Sequence, residues 1–220
     1  MTRLDRLRDR MAATGVDLVA LAPGAHLHWL LGFAPHPDER PCLLLVGPDT
    51  AGFVMPALNA QDARQHTDLP FWEWSDDEGA QNAFATALQT VNPKPSKVAL
   101  DEVMRADHAM LVLGAMPGAQ HCFAADTIGA LRMIKDDAEL AALQENARIA
   151  DAAQTAVRHA LRDGMTEREL SEVAKARFEQ DGARYAFGSV GAGGNSAFPH
   201  HHTGNTAVRP GDAIVVDIGG

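Results

Sequence analysis

Residues 199–220, PHHHTGNTAVRPGDAIVVDIGG, carry the densest set of chemistry-capable side chains in this 220-residue chain. His200, His201 and His202 stand in a row behind Pro199. The Arg209-Pro210-Gly211-Asp212 turn then leads into an apolar run, Ala213 to Val216, that meets an acid at Asp217. A carboxylate closing a run of Ile and Val is costly unless something neutralises or hydrogen-bonds it. A hard divalent cation is one such partner, because carboxylates suit oxygen-loving ions. A strand-end acid capping the turn before Gly219-Gly220 is the other reading. The histidines admit three readings: a solvated polar loop, a zinc site in which His200 and His202 share one face of an extended segment, or an imidazole that exchanges a proton with a reacting centre. Nothing nearby supplies further ligands at a recognisable zinc spacing, which disfavours the second.

Other motif-like stretches carry less. Gly191-Ala192-Gly193-Gly194 does not open a helix and no Gly-Lys-Ser/Thr follows it, so it is no phosphate loop. Its glycines read as places where the backbone passes close to a substrate or a neighbouring strand. His26, His28 and His36 lie among apolar and proline residues and read as structural or surface groups. Trp72 and Trp74 alternate with Phe71 and Glu73 as packing residues of a strand.

The elements that must position these groups change character along the chain. Up to about residue 125, helical and strand-like segments alternate, which predicts a layered α/β domain. Helices are expected at Leu4 to Met11, Ala57 to His66, Asp77 to Val91 and Ala106 to Leu113. Strands are expected at Asp17 to Leu21, Cys42 to Val46, Gly52 to Met55, Phe71 to Trp74, Lys97 to Leu100 and Gln120 to Phe123. A long amphipathic helix follows, Asp137 to Leu161, with Leu140, Leu143, Ala147, Ala150, Val157 and Leu161 on one stripe. Gly164 ends it, Thr166 and Glu169 make a capping box for the next helix, and that helix closes at Asp181-Gly182. Strand-like pieces at Tyr185 to Val190 and Ala213 to Val216 flank the Gly/Asn/His loop. The change of pattern predicts two domains, 1–126 and 127–220.

Composition narrows the class. A formal charge of −10 offers no footprint for nucleic acid or an anionic membrane. Cys42 and Cys122 form neither a disulfide framework nor a CxxC motif. The charged start MTRLDRLRDRMAATG lacks the apolar core of a signal peptide, and no window approaches the length of a membrane span. These features predict a soluble, cytoplasmic protein.

LRMIKDDAELAALQENARIADAA, Leu131 to Ala153, resembles the opening helix of the pita-bread metallopeptidases, the family of Xaa-Pro aminopeptidases, prolidases and creatinase. The Gly164-Met-Thr-Glu167 turn, the GAGGNSAFPHH segment and the RPGDAIVVDIGG strand follow in that family's order. Upstream, HLHWLLGF resembles the signature of its creatinase-like N-terminal domain, with Trp29 and Leu31 in place of the usual Tyr and Thr. The resemblance implies an α/β (α+β) protein: a three-layer creatinase-like domain at 1–126, then the first part of a pita-bread catalytic domain at 127–220. It implies a pair of divalent metal ions, Mn with Co or Zn as alternatives, held by two aspartates, a histidine and two glutamates. Such ions acidify water and polarise a scissile carbonyl. Only the first of those aspartates maps here, onto Asp217; the other ligands would lie beyond Gly220, so a front part of a longer enzyme, inactive alone, is expected. His200 takes the catalytic, substrate-contacting role of the family's Pro-His step, and His201 a substrate-binding one. Expected substrates are short peptides with proline second, and the expected assembly is a homodimer. A metal-free creatinase-like C–N hydrolase and a non-catalytic module of the same fold are the alternatives; an acid at Asp217 favours the metallopeptidase.

Overall fold

Strands of continuous apolar sequence set the architecture of the first half. The computed structural model describes residues 1–220, which divide into two units, 1–134 and 135–220. The first runs α1 (Arg3–Thr14), β1 (Leu18–Leu21), α2 (Ala25–Leu31), β2 (Leu43–Val46), β3 (Ala51–Pro56), α3 (Ala57–Ala63), β4 (Phe71–Trp74), α4 (Gln81–Val91), β5 (Lys97–Leu100), α5 (Ala106–Gly114), β6 (Gln120–Phe123) and α6 (Ile128–Met133). Its six strands form one mixed sheet in the order β4-β3-β2-β1-β5-β6. β1–β5, β5–β6 and β3–β4 are parallel; β1–β2 and β2–β3 are antiparallel.

Every residue of β1, β2 and β3 is buried, as expected of strands covered on both faces. Alternation sorts their side chains between two cores. Val19, Leu21, Leu44, Val46, Phe53 and Met55 pack with Leu7 and Met11 of α1, Leu27 and Leu30 of α2 and Ile128 of α6. Leu18, Ala20, Leu43, Leu45 and Val54 pack with Phe84, Leu88 and Val91 of α4 and Val112 of α5. This is the three-layer α/β arrangement expected from the alternating pattern. Ile128, just past residue 126, is fully buried in the first of these cores.

The second unit comprises α7 (Asp137–Ala160), α8 (Glu167–Gln180), β7 (Phe187–Ala192) and β8 (Ile214–Gly219). Capping boxes open both helices, Asp136 with Glu139 and Thr166 with Glu169. The stripe expected on α7 needs correcting: Leu140, Leu143 and Leu161 are exposed, and the buried line is Ile149, Ala153 and Val157. α7 has 24 residues and α8 only 14, and α8 packs along the later part of the longer helix, at Ile149, Ala153 and Val157.

β7 and β8 pair antiparallel, from Phe187 opposite Gly219 to Ala192 opposite Ile214. Both run further than the sequence pattern indicates. Gly191 and Ala192 extend β7, and β8 continues through Asp217 to Gly219. Val190, Ala192, Ile214, Val216 and Ile218 turn toward the helices. By alternation, Phe187, Ser189, Val215 and Asp217 share the opposite, open face. No helix is long and apolar enough to cross a membrane.

Met133 and Ile134 are 73% and 77% exposed, between the end of α6 and the cap of α7. Limited proteolysis read by mass spectrometry is expected to cut first at 133–136 and to leave two resistant fragments. A first cut inside 97–113 contradicts this division.

Candidate functional site: a histidine loop held by a buried glutamate

Asp217 lies inside β8, opposite Ser189, and its side chain is exposed and makes no hydrogen bond. One expectation therefore changes. The acid neither ends a strand nor caps a turn, because β8 runs on to Gly219, and within these 220 residues its side chain lies exposed on the ribbon's open face. Its two oxygens are free to accept a cation. Ser189, its cross-strand partner, donates its hydroxyl to the carbonyl of His201 at 2.8 Å. The histidine loop is thus tied to the strand position facing Asp217.

His201 is the fixed member of the three. Its backbone N–H donates to the Phe198 carbonyl at 3.2 Å, its carbonyl accepts from Ser189, and its ring Nε2 lies 2.8 Å from Glu167 Oε2. His200 and His202 are exposed and their rings make no hydrogen bond. Pro199 and His200 form a turn, so the extended segment that a His200–His202 zinc pair requires does not exist. No group of three metal-ligating side chains gathers around these residues; the one such group in the chain lies in the first unit.

Glu167 is the residue that sequence reasoning missed. It occupies the first turn of α8, is fully buried, and accepts four hydrogen bonds. Oε1 takes the Ala192 amide at 2.9 Å and the Asn195 side-chain amide at 2.8 Å. Oε2 takes His201 Nε2 at 2.8 Å and the Gly204 amide at 2.9 Å. Two donors per oxygen saturate a carboxylate, so Glu167 has no capacity left to act as a base or a metal ligand. Burial pushes its carboxyl upward, but the donors from Asn195, His201, Ala192 and Gly204 outweigh it and hold the value at about 2. An ionised carboxylate only accepts, so His201 carries a proton on Nε2 and keeps Nδ1 as its uncommitted nitrogen.

Backbone contacts complete the anchoring. Thr206 and Gly204 carbonyls accept from the amides of Glu167 and Arg168, and Met165 and Val208 pair across the same seam. Thr203 Oγ1 accepts from the Val190 amide at 2.8 Å, and Asn195 also reaches Thr206 Oγ1 at 3.0 Å. A Cβ added at Gly191 would meet the Asn195 carbonyl at 3.0 Å. The close approach required of this glycine is therefore to its own loop. In the first unit, His28 and His36 are exposed, and Trp74 donates its ring N–H to the Pro41 carbonyl at 3.0 Å, as packing residues do.

Comparison with known proteins follows these boundaries. The family described as Creatinase/Prolidase N-terminal domain matches residues 3–134, and Metallopeptidase family M24 matches residues 141–220. The chain is 30% identical over 215 residues to the probable dipeptidase PepE of Mycobacterium bovis, covering 95% of this chain and 56% of that protein. It is 25% identical to the Xaa-Pro dipeptidase of Lactobacillus delbrueckii subsp. lactis, covering 98% of this chain and 61% of the relative. Among solved structures, dipeptidase PepE from Mycobacterium ulcerans superposes with a TM-score of 0.89 at 27% identity, covering 99% of this chain and 59% of that one. The chain thus spans between half and two thirds of the length of these relatives.

Replacing Glu167 by alanine removes the acceptor of four donors, two of them backbone amides. We expect a loss of about 3 kcal/mol or more in denaturant unfolding followed by circular dichroism; an unchanged midpoint contradicts the anchoring role. The sign of the pH dependence follows from a folded value of about 2 below the ordinary 4.5. The charge of Glu167 stabilises fully above about 4.5, and that contribution fades as pH falls toward 2. The difference in stability between wild type and Glu167→Gln is expected to shrink over that window and to stay flat from pH 5 to 7.

Proposed function

We propose, for a chain that belongs to the Creatinase/Prolidase N-terminal domain family and continues into a segment of metallopeptidase family M24, that the whole protein hydrolyses Xaa-Pro dipeptides with the help of divalent metal ions. The observation that carries this reading is the pairing of an unencumbered acid, Asp217, with an anchored histidine loop, through Ser189 on the opposing strand.

An exposed carboxylate without a hydrogen-bond partner fits a hard divalent ion, and Asp217 is the residue of this chain that would hold one. Mn is the ion proposed, with Co and Zn as alternatives. Divalent ions supply Lewis acidity toward a peptide carbonyl. The chain's own residues do the rest. Glu167 holds the loop and fixes the orientation and tautomer of His201, whose Nδ1 is left to contact substrate. His200, with a free and solvated ring, is assigned the exchange of a proton with the leaving amine, a task suited to an imidazole near neutral pH. Short substrates with proline second, a homodimer and a cytoplasmic setting complete the reading. The acid at Asp217 favours it over a metal-free C–N hydrolase on the same fold.

The test uses the protein as its gene encodes it, assayed on Xaa-Pro dipeptides with elemental analysis alongside. Asp217→Asn keeps the size and removes the charge, so metal content and kcat are expected to fall together. His200→Ala is expected to keep its metal and lose roughly 10²–10⁴-fold in kcat. An emptied metal site in His200→Ala with a full one in Asp217→Asn reverses the two roles. Full activity in both sinks the reading.

A further inference from the structure

Three ligand-capable side chains converge in the first unit, beyond the carboxyl ends of the parallel neighbours β1 and β5. His26 lies in the first turn of α2, and Asp101 and Glu102 directly follow β5. One donor atom from each lies within 4.8 Å of the others. In open α/β sheets the crevice past the carboxyl ends of adjacent strands is where ligands bind. The backbone fixes the spot: the Asp101 amide donates to the Ala20 carbonyl at 3.0 Å, and the Val103 amide donates to Asp101 Oδ1 at 3.1 Å.

A second observation is independent of this clustering. Asp101 is only 2% exposed, and its Oδ2 has no hydrogen-bond partner. A buried carboxylate oxygen without a donor is costly and calls for a positive partner. Burial pushes the Asp101 carboxyl up; the Val103 amide and nearby His26 pull it back, the charge of Glu102 adds to the rise, and the Ala22 amide offers a weaker donor that does not reach hydrogen-bond geometry with Oδ2. His26 is bound on both sides: Nε2 lies 2.9 Å from Glu102 Oε2, and Nδ1 lies 2.9 Å from Arg132 Nη1. A guanidinium only donates, so Nδ1 accepts and Nε2 carries the proton.

We propose that His26, Asp101 and Glu102 form a binding site for one divalent cation of the zinc type, separate from Asp217 and independent of any peptidase reading. An imidazole with two carboxylates suits such an ion, and two negative charges balance it. On binding, the ring proton moves from Nε2 to Nδ1 and the freed Nε2 lone pair takes the ion. With both carboxylates ionised, no proton is released. Arg132, which then faces a donor, turns away. The ion ties the start of α2 to the end of β5.

Calorimetric titration of the 220-residue chain with Zn²⁺ tests this. One equivalent is expected to bind to wild type and to Asp217→Asn alike. Binding is expected to weaken at least ~10-fold in His26→Gln and in Asp101→Asn, each checked for folding by circular dichroism, as loss of one ligand from a small set implies. Arg132→Gln removes a competing cation and is expected to bind more tightly. The proposal is overturned by a wild type that takes up no Zn²⁺, by full affinity in folded His26→Gln, or by binding that disappears only when His200 and His202 are both replaced by alanine.

Discussion

The arrangement of the second unit depends on one buried charge. Glu167 sits at the N-terminal end of α8, where the helix dipole favours a carboxylate, yet burial there is tolerable only because four donors converge on it. Those donors come from the end of β7, from the turn after it and from the histidine loop. A single carboxylate therefore closes a segment that contains no regular structure between Ala197 and Ile214 and has few apolar anchors beyond Val208. Remove it and the loop loses the reason for its shape, while the helices and the ribbon keep their own cores.

This constraint also distinguishes neighbouring histidines. An imidazole with one nitrogen committed to an ionised carboxylate, as in His201, has a defined tautomer and orientation. His200 and His202, left in solvent, have no such partner. Identical residues in consecutive positions thus acquire different hydrogen-bond surroundings from the fold alone.

The first unit was largely legible in the sequence. β4, β5 and β6 fall at the expected residues, and the other strands differ by a residue or two at their ends; β1, β2 and β3, covered on both faces, advertise themselves as unbroken apolar runs, whereas β4 and β6 are only partly buried. The second unit was legible in its helices and caps but less so in its contacts. Helical spacing put Leu140 and Leu143 on a buried stripe, yet within these residues α8 packs along Ile149, Ala153 and Val157 and leaves both leucines exposed. Asp217 looked like a strand end because Gly219 and Gly220 signal a turn, whereas ladder pairing with Phe187 carries the strand through. Glu167 gave no signal at all. It lies inside a capping box whose exposed members explain its composition, and its partners stand 25 to 37 residues downstream. Only the folded chain brings them together.

The central claim is that the Glu167 carboxylate holds His201 through its Nε2 proton. The most direct measurement is a long-range ¹H–¹⁵N correlation spectrum of the histidine rings at neutral pH, with His201 assigned by substitution. The account predicts that Nε2 is the protonated nitrogen of His201, with a slowly exchanging proton that is lost in Glu167→Gln. A His201 ring protonated on Nδ1 alone, or one averaged between tautomers like a solvated histidine, would contradict it.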